Sequence, residues 1–499
     1  MLILLFSAFY FADVLIRASE KRFWYDELFT VYICRLPSFA SIWQGLLHGI
    51  DFNPPLIFVL TSLSQRFFGE GPIGTRLPEI IGFWVFSVCL FYFLRRRFGV
   101  WPGFVAMILP SFTGVFYYAY EARPHALVLA FCGLALLSWQ MWSESPEKTS
   151  PLVAFSASFL LALFSHCYAL LLAIPFAASE AAHLVQFKIF RARLWAALLV
   201  PEVIACSLYV PLLRAFKYVV PVPYPFAPWL PTLYRVPEFY NWILAPVVLL
   251  VILTLVLLAA GGSNRAATSL PFEFWCLVLG FLSIPIFGLG LAYGIKAPYF
   301  FRYFLSALVG VSVLFGVASA RLKPQAQIIL VVAVSLFGAR SFEVLIKHRV
   351  RGIDEVLHEP SSGLELDTNP RDVLATNPLL KSTVDSPLPV AMRDALTYFY
   401  LLYYEPKLAP RLYYVTRDSY DFFGFAFEHI RPWWPEKFNP VHSYRDLLRS
   451  NAELLVYADS GSAPDLSWLS SQGVRVSSVQ WSDGRFLARL GVESHGGSE

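Results

Sequence analysis

The chain has 499 residues, 57% hydrophobic, 17% aromatic and only 15% charged. Soluble domains average roughly 25% charged residues, so this composition excludes an ordinary soluble protein and points to one embedded in lipid. A net charge of +4, with no dense basic run outside short loops, gives no case for nucleic acid.

A bilayer-crossing helix needs ~20 apolar residues. Candidate spans lie near 1–17, 76–94, 100–119, 124–142, 151–166, 168–186, 194–213, 241–260, 271–293, 303–320 and 326–343. The first begins at Met1 without a basic flank, which suggests a start further upstream. The segment 54–68 is apolar but short, and it opens with two prolines.

Charge placement decides how to treat 54–68, because cytoplasmic loops collect Lys and Arg. If it lies in the interface and the N-terminus is inside, the inner loops are 95–99, 143–150, 187–193, 261–270 and 321–325. Those loops hold Arg95, Arg96, Arg97, Lys148, Lys188, Arg191, Arg193, Arg265, Arg321 and Lys323. The expectation is therefore eleven spans with the C-terminus outside. Arg17, Lys21 and Arg22 oppose it, since they would be external.

Residues 344–499 carry charges, prolines and turn residues, and no span. Strands are expected at 411–416, 453–458 and 474–479. Helices are expected at 393–404, 443–449 and 465–471, with a connector before them over 350–386. That alternation implies a small α/β domain. It has no glycine-rich phosphate loop. The six cysteines (Cys34, Cys89, Cys132, Cys167, Cys206, Cys276) are scattered singly, without metal-type spacing.

Under this topology one membrane surface collects the ionisable groups. The loop 18–75 offers Asp26, Glu27, His48, Asp51 and Arg76. Later connections add Glu121, Arg123 and His125, then His166, then Arg302 and Tyr303. Ionisable groups at the edge of a bilayer protein mark a functional site. A carboxylate there can take a proton from an acceptor, and guanidinium groups can hold a departing phosphate. Each residue also has a plainer reading. Glu27 suits the first turn of a helix, Asp51 an Asx-turn, and Glu121 with Arg123 an ion pair closing a loop.

The runs Tyr25-Asp26-Glu27, Asp51-Phe52-Asn53-Pro54-Pro55-Leu56, Arg76-Leu77-Pro78, Glu121-Ala122-Arg123-Pro124 and Arg302-Tyr303-Phe304-Leu305 occur in an ordered series over roughly residues 1–320. The series resembles bacterial membrane glycosyltransferases of the GT-C superfamily, in particular the protein O-mannosyltransferase-like enzymes of family 39. The aminoarabinose transferases are more distant relatives. The resemblance implies a polyprenyl-phosphate-linked sugar as donor, inversion at the anomeric carbon, and an active site on the extracytoplasmic face. It implies that Asp26 serves as base or acceptor-binding group and that Arg76 approaches the lipid phosphate. Three positions depart from the family pattern: Asn53 stands where His is common, His125 where Tyr is, and Glu79 where Ser is. Glu79 is one turn from Arg76 and is placed to pair with it.

The expected fold is a polytopic α-helical membrane protein, GT-C-like, with about eleven transmembrane helices, interfacial helices and a small C-terminal extracytoplasmic α/β domain. Residues 1–343 form the transmembrane catalytic domain, 344–386 a connector and 387–499 the soluble domain. Asp26 and Glu27 are the expected catalytic residues. Asp51, Asn53, Arg76, Glu121, Arg123, His166, Arg302 and Tyr303 are the expected substrate-binding set. The partners are the polyprenyl-phosphate-linked sugar, the lipid bilayer, and an acceptor that is a glycan, a lipid or a protein. A divalent metal is compatible with Asp26 beside Glu121 or His166, and the family divides on metal use. The expected location is a bacterial plasma membrane. The alternative reading is a transporter or flippase of lipid-linked saccharides, which should show internal repeats; none is found.

Overall fold

A computed structural model describes residues 1–219, 231–261, 270–351, 377–392, 395–415, 440–441, 443–458, 474–482 and 484–492. These fall into two compact units. One holds residues 1–21, 53–211 and the described part of 226–366; the other holds 22–52, 212–219 and the described residues from 377 onward.

The first unit is helical throughout. Among the described residues, eight helices are long and apolar enough to cross a bilayer: Leu2–Glu20, Pro72–Phe98, His125–Glu144, Cys167–Phe187, Ala192–Ala215, Arg235–Ala260, Phe272–Ile295 and Pro324–Glu343. Two expected spans, 151–166 and 303–320, correspond to the shorter apolar helices Thr149–Ser165 and Ala307–Ala320. The expected single span 100–119 is broken. Val100–Phe112 and Gly114–Tyr120 meet at 77°. Thr113 adopts an extended conformation between them and its hydroxyl donates to the Pro110 carbonyl at 2.9 Å. Non-helical backbone at membrane depth is tolerated where protein covers it, and residues 115–120 are all buried.

Local sequence explains the helix ends. We name Leu2–Glu20 α1, Tyr25–Cys34 α2, Phe39–Leu47 α3, Leu56–Phe68 α4 and Pro72–Phe98 α5. Pro72 opens α5 where its missing N–H costs nothing, and Arg95, Arg96 and Arg97 close it against the negative end of the helix dipole. Gly99, at φ +89°, then turns the chain directly into α6 (Val100–Ile108). At 13 residues α4 is only about 20 Å long, too short to cross the hydrocarbon layer unaided.

Further on, α7 is His125–Glu144, α8 Thr149–Ser165, α9 Ala173–Phe187, α10 Ala192–Val219 and α11 Arg235–Leu244. Then α12 is Val248–Gly261, α13 Phe272–Ile295, α14 Ala307–Ala320 and α15 Pro324–Arg351. Helix direction sorts the polar residues of this unit to two ends. Arg96 pairs with Glu144 at one end. There too the His183 ring meets Glu273 at 2.6 Å, Arg191 meets Glu180 at 3.3 Å, and the Trp139 indole donates to Glu180 at 3.2 Å. Arg76, Glu121, His125, His166 and Arg302 belong to the opposite helix ends.

The second unit contains α2, α3 and a six-stranded sheet. Its strands are β1 (Val390–Met392), β2 (Leu412–Val415), β3 (Pro440–Val441), β4 (Glu453–Ala458), β5 (Val474–Ser482) and β6 (Arg485–Val492), in the order β3-β2-β1-β4-β6-β5. The first four are parallel, and β6 runs antiparallel to β4 and β5. Its helices are α16 (Pro378–Val384), α17 (Ala395–Tyr404) and α18 (Tyr444–Ser450). The run Leu454-Leu-Val-Tyr-Ala458 is continuously buried, as a central parallel strand requires. The expected strands at 411–416, 453–458 and 474–479 and helices at 393–404 and 443–449 each find a counterpart. The expected helix at 465–471 and most of the expected connector lie outside the described residues.

Candidate active site

In the first unit the site is built on the break between the bent pair and α7. Glu121 is extended (φ −123°, ψ 127°), and the Arg123 N–H donates to its carbonyl at 2.7 Å. Pro124 then starts α7. Glu79 does not close a one-turn pair with Arg76 but turns to α7, where its carboxylate accepts the Leu127 N–H at 2.9 Å. A carboxylate at a helix start satisfies an orphan donor and meets the positive end of the dipole. Glu79 thereby ties α5 to the start of α7, the helix that begins just after Glu121 and Arg123.

Arg76 is fully buried. Its guanidinium donates to the carbonyls of Ala18 at 2.6 Å and Lys21 at 2.7 Å. Those are C-terminal carbonyls of α1, which lack intrahelical partners. The geometry thus gives Arg76 a structural task, which is to hold the end of α1. That end presents Lys21, a residue absent from the expected set. Lys21 is 0% exposed, with its ammonium 3.9 Å from Glu121 and 4.1 Å from the centre of the Tyr117 ring. An ammonium is desolvated in this way only with an opposite charge and aromatic faces around it.

His125 and His166 face each other across 5.5 Å, and Tyr303 lies 4.9 Å from His166 and stacks on Tyr168 at 4.5 Å. Helix α8 ends at Ser165, so His166 lies outside the spanning helices. Its Nδ1 accepts the Tyr168 N–H at 3.1 Å, which leaves the hydrogen of the neutral ring on Nε2. Burial first, then the charges of Arg123 and Arg302, push its pKa down to about 3. It therefore stays a neutral hydrogen-bond donor at ordinary pH. His125 is buried with its Nε2 lacking a hydrogen-bond partner. His125, His166, Tyr168, Arg302, Tyr303 and Ser306 line one narrow recess with the apolar side chains Val128, Leu129 and Leu305. Arg302 is half-buried, with its guanidinium 4.8 Å from the Phe300 ring. Asn53 is buried just ahead of α4.

The second unit carries Asp26, Glu27 and Asp51. Glu27 is wholly buried, and its carboxylate accepts the Trp24 N–H at 3.3 Å at the start of α2. That is a capping arrangement, the plainer role weighed from sequence. Asp26 sits beside it in the first turn and is half-exposed, as is Asp51. Among the described residues, no group of three or more His, Cys, Asp or Glu is spaced to hold a metal ion.

Residues 53–210 match the family model described as dolichyl-phosphate-mannose-protein mannosyltransferase. The fold is similar to crystal structures of ArnT from Cupriavidus metallidurans. With the apo form the identity is 14% and the TM-score 0.60, over 98% of this chain and 97% of that one. With the form bound to undecaprenyl phosphate the identity is 15% and the TM-score 0.60, over 100% and 99%. Archaeal AglB from Archaeoglobus fulgidus matches at 11% identity and TM-score 0.47, over 91% and 69%. No curated protein matches the sequence. The chain shares its fold with ArnT and is a multi-pass membrane protein.

Proposed function

We propose that this protein transfers a sugar from a polyprenyl-phosphate donor to an acceptor on the extracytoplasmic face of a bacterial plasma membrane, inverting the anomeric centre. The C-terminal domain then lies on that same face. The observation that carries the reading is the recess of Arg302, His125, His166 and Tyr303 at one end of a lipid-spanning bundle. Those side chains offer a fixed positive charge and neutral donors, the set a lipid phosphate needs. Both the fold and the family model point to donors of this class.

In the proposed reaction the acceptor oxygen attacks the anomeric carbon opposite the phosphate. The new C–O bond forms as the bond to phosphate breaks, and the electron pair leaves with the phosphate, which gains a negative charge. Arg302 and the His166 Nε2–H stabilise that charge as it develops. The acceptor proton passes to the Asp26 carboxylate. Glu121 and Arg123 shape the sugar pocket, Lys21 adds positive charge behind it, and Arg76 keeps Lys21 in place. Glu27 holds the helix that presents Asp26, and Asp51 and Asn53 bind the acceptor side.

Mass spectrometry of surface glycans from cells with and without this chain tests the proposal. Loss of one sugar from lipid, polysaccharide or protein is expected. Unchanged glycans, with lipid-linked saccharide trapped on the inner leaflet, would replace transfer by translocation.

A further inference from the structure

The segment that carries Asp26 is not held by its own short helix alone. Within the second unit, α2 lies against α17, the helix that follows β1 of the C-terminal sheet. Phe399 of α17 meets Tyr25 at 6.0 Å, Phe29 at 5.4 Å and Tyr32 at 5.8 Å, ring centre to ring centre. Tyr25, Phe29 and Tyr32 recur at i, i+4 and i+7, so they form one stripe of α2. The Tyr403 ring lies 5.7 Å from Phe23. Polar contacts fix the approach to the helix. The Tyr404 hydroxyl accepts the Phe23 N–H at 2.6 Å, and Arg22 donates to the Tyr400 hydroxyl.

These contacts are specific in a way that general adhesion is not. Phe23 precedes the N-cap of α2, and its backbone N–H is a group that a merely apolar surface would leave unsatisfied. One turn of α17 supplies both hydroxyls, four residues apart, and each meets one residue of the pair Arg22-Phe23. The aromatic stripe fixes the rotation of α2 about its axis, and the Tyr404 bond fixes its start. Asp26 is the residue next to Tyr25, so its direction follows from both.

We infer that the C-terminal α/β domain acts as the positioning element for the Asp26 carboxylate, with Tyr404 and Phe399 as positioning residues. The inference rests on the reading of Asp26 as the base. The C-terminal sheet would thus set the angle of the reacting carboxylate. A shift of 1 Å or so in such a group is enough to cost rate.

The test uses the full chain, in lipid nanodiscs for exchange and binding and in native membrane vesicles for turnover. Tyr404→Phe removes a single oxygen and keeps the ring, so the fold is expected to survive. Hydrogen–deuterium exchange over residues 22–34 should rise about tenfold in Tyr404→Phe, and further in Phe399→Ala. Exchange in α7 and α13 should not change. Turnover is read as release of undecaprenyl phosphate from undecaprenyl-phosphate-linked mannose or aminoarabinose in native membrane vesicles. The kcat should fall about tenfold while the Kd for undecaprenyl phosphate holds, and Phe399→Leu should recover most of it. Unchanged exchange in both variants would overturn the inference, as would faster exchange with unaltered kcat. Asp26→Asn separates the two readings. If it leaves turnover intact, the base assignment fails and this inference with it. If it abolishes turnover while Tyr404→Phe and Phe399→Ala do not lower it, the positioning role alone fails.

Discussion

The Lys21 ammonium lies 3.9 Å from a carboxylate oxygen of Glu121, and both side chains are buried. Removing one partner of a buried pair leaves the other charge in a medium that cannot solvate it, at a cost of about 3–5 kcal/mol. Lys21→Met is therefore expected to lower the melting temperature in detergent sharply. The double variant Lys21→Met, Glu121→Gln should recover most of that loss. A double variant as unstable as the sum of the two single variants would show that the two groups do not act as a pair.

Arg76 donates to two carbonyls at the end of α1 from a site with no exposed surface. Arg76→Met should cost about 2–4 kcal/mol, since both oxygens are left without that donor. The residual folded protein should bind undecaprenyl phosphate within about threefold of the parent, a shift of under ~1 kcal/mol. A tenfold loss of affinity with unchanged stability would instead make Arg76 a phosphate ligand.

Arg302 is the guanidinium that lines the recess. A charge-assisted hydrogen bond contributes about 1.5–3 kcal/mol, and half-exposure keeps this one near the lower figure. Arg302→Gln is thus expected to raise the Kd for undecaprenyl phosphate about tenfold and to weaken its salt dependence. Equilibrium binding at two ionic strengths checks both effects.

His166 has a folded pKa of about 3, below its ordinary 6.5. As pH falls below about 6.5 the unfolded chain takes up a proton that the folded chain refuses, so stability is lost on acidification. The loss is on the order of 2 kcal/mol at pH 5. Melting temperature should drop between pH 7 and pH 5, and less steeply in His166→Asn. Parallel pH profiles for the two proteins would contradict the assignment.

The membrane helices were readable because lipid leaves the backbone no other partner, so each span shows as ~20 apolar residues. The break at Thr113 was not, because one extended residue between two apolar runs leaves no mark in hydropathy. Strands β1 and β3 have three and two residues, too few for a period to show. Strand β6 is absent from the expected elements, although Asp483-Gly484 ahead of it is a hairpin signal and Gly484 adopts φ +73°. The motif series and the ionisable groups of the connections name Glu121, Arg123, His166 and Arg302 as candidates. Lys21 escaped because it resembles any basic residue flanking a span. Its burial depends on Tyr117 and Glu121, about a hundred residues away. Glu79 misled through its helical spacing from Arg76, since its true partner is the start of another helix.

The most direct measurement is the kcat of full-length Asp26→Asn in native membrane vesicles beside its Kd for undecaprenyl phosphate in nanodiscs. Replacing a carboxylate by an amide of the same shape removes proton acceptance and keeps the size of the side chain. General-base catalysis contributes about 10²–10⁴-fold. Turnover is expected to fall by at least a hundredfold with Kd within twofold of the parent. Parental turnover in Asp26→Asn would contradict the account at its centre.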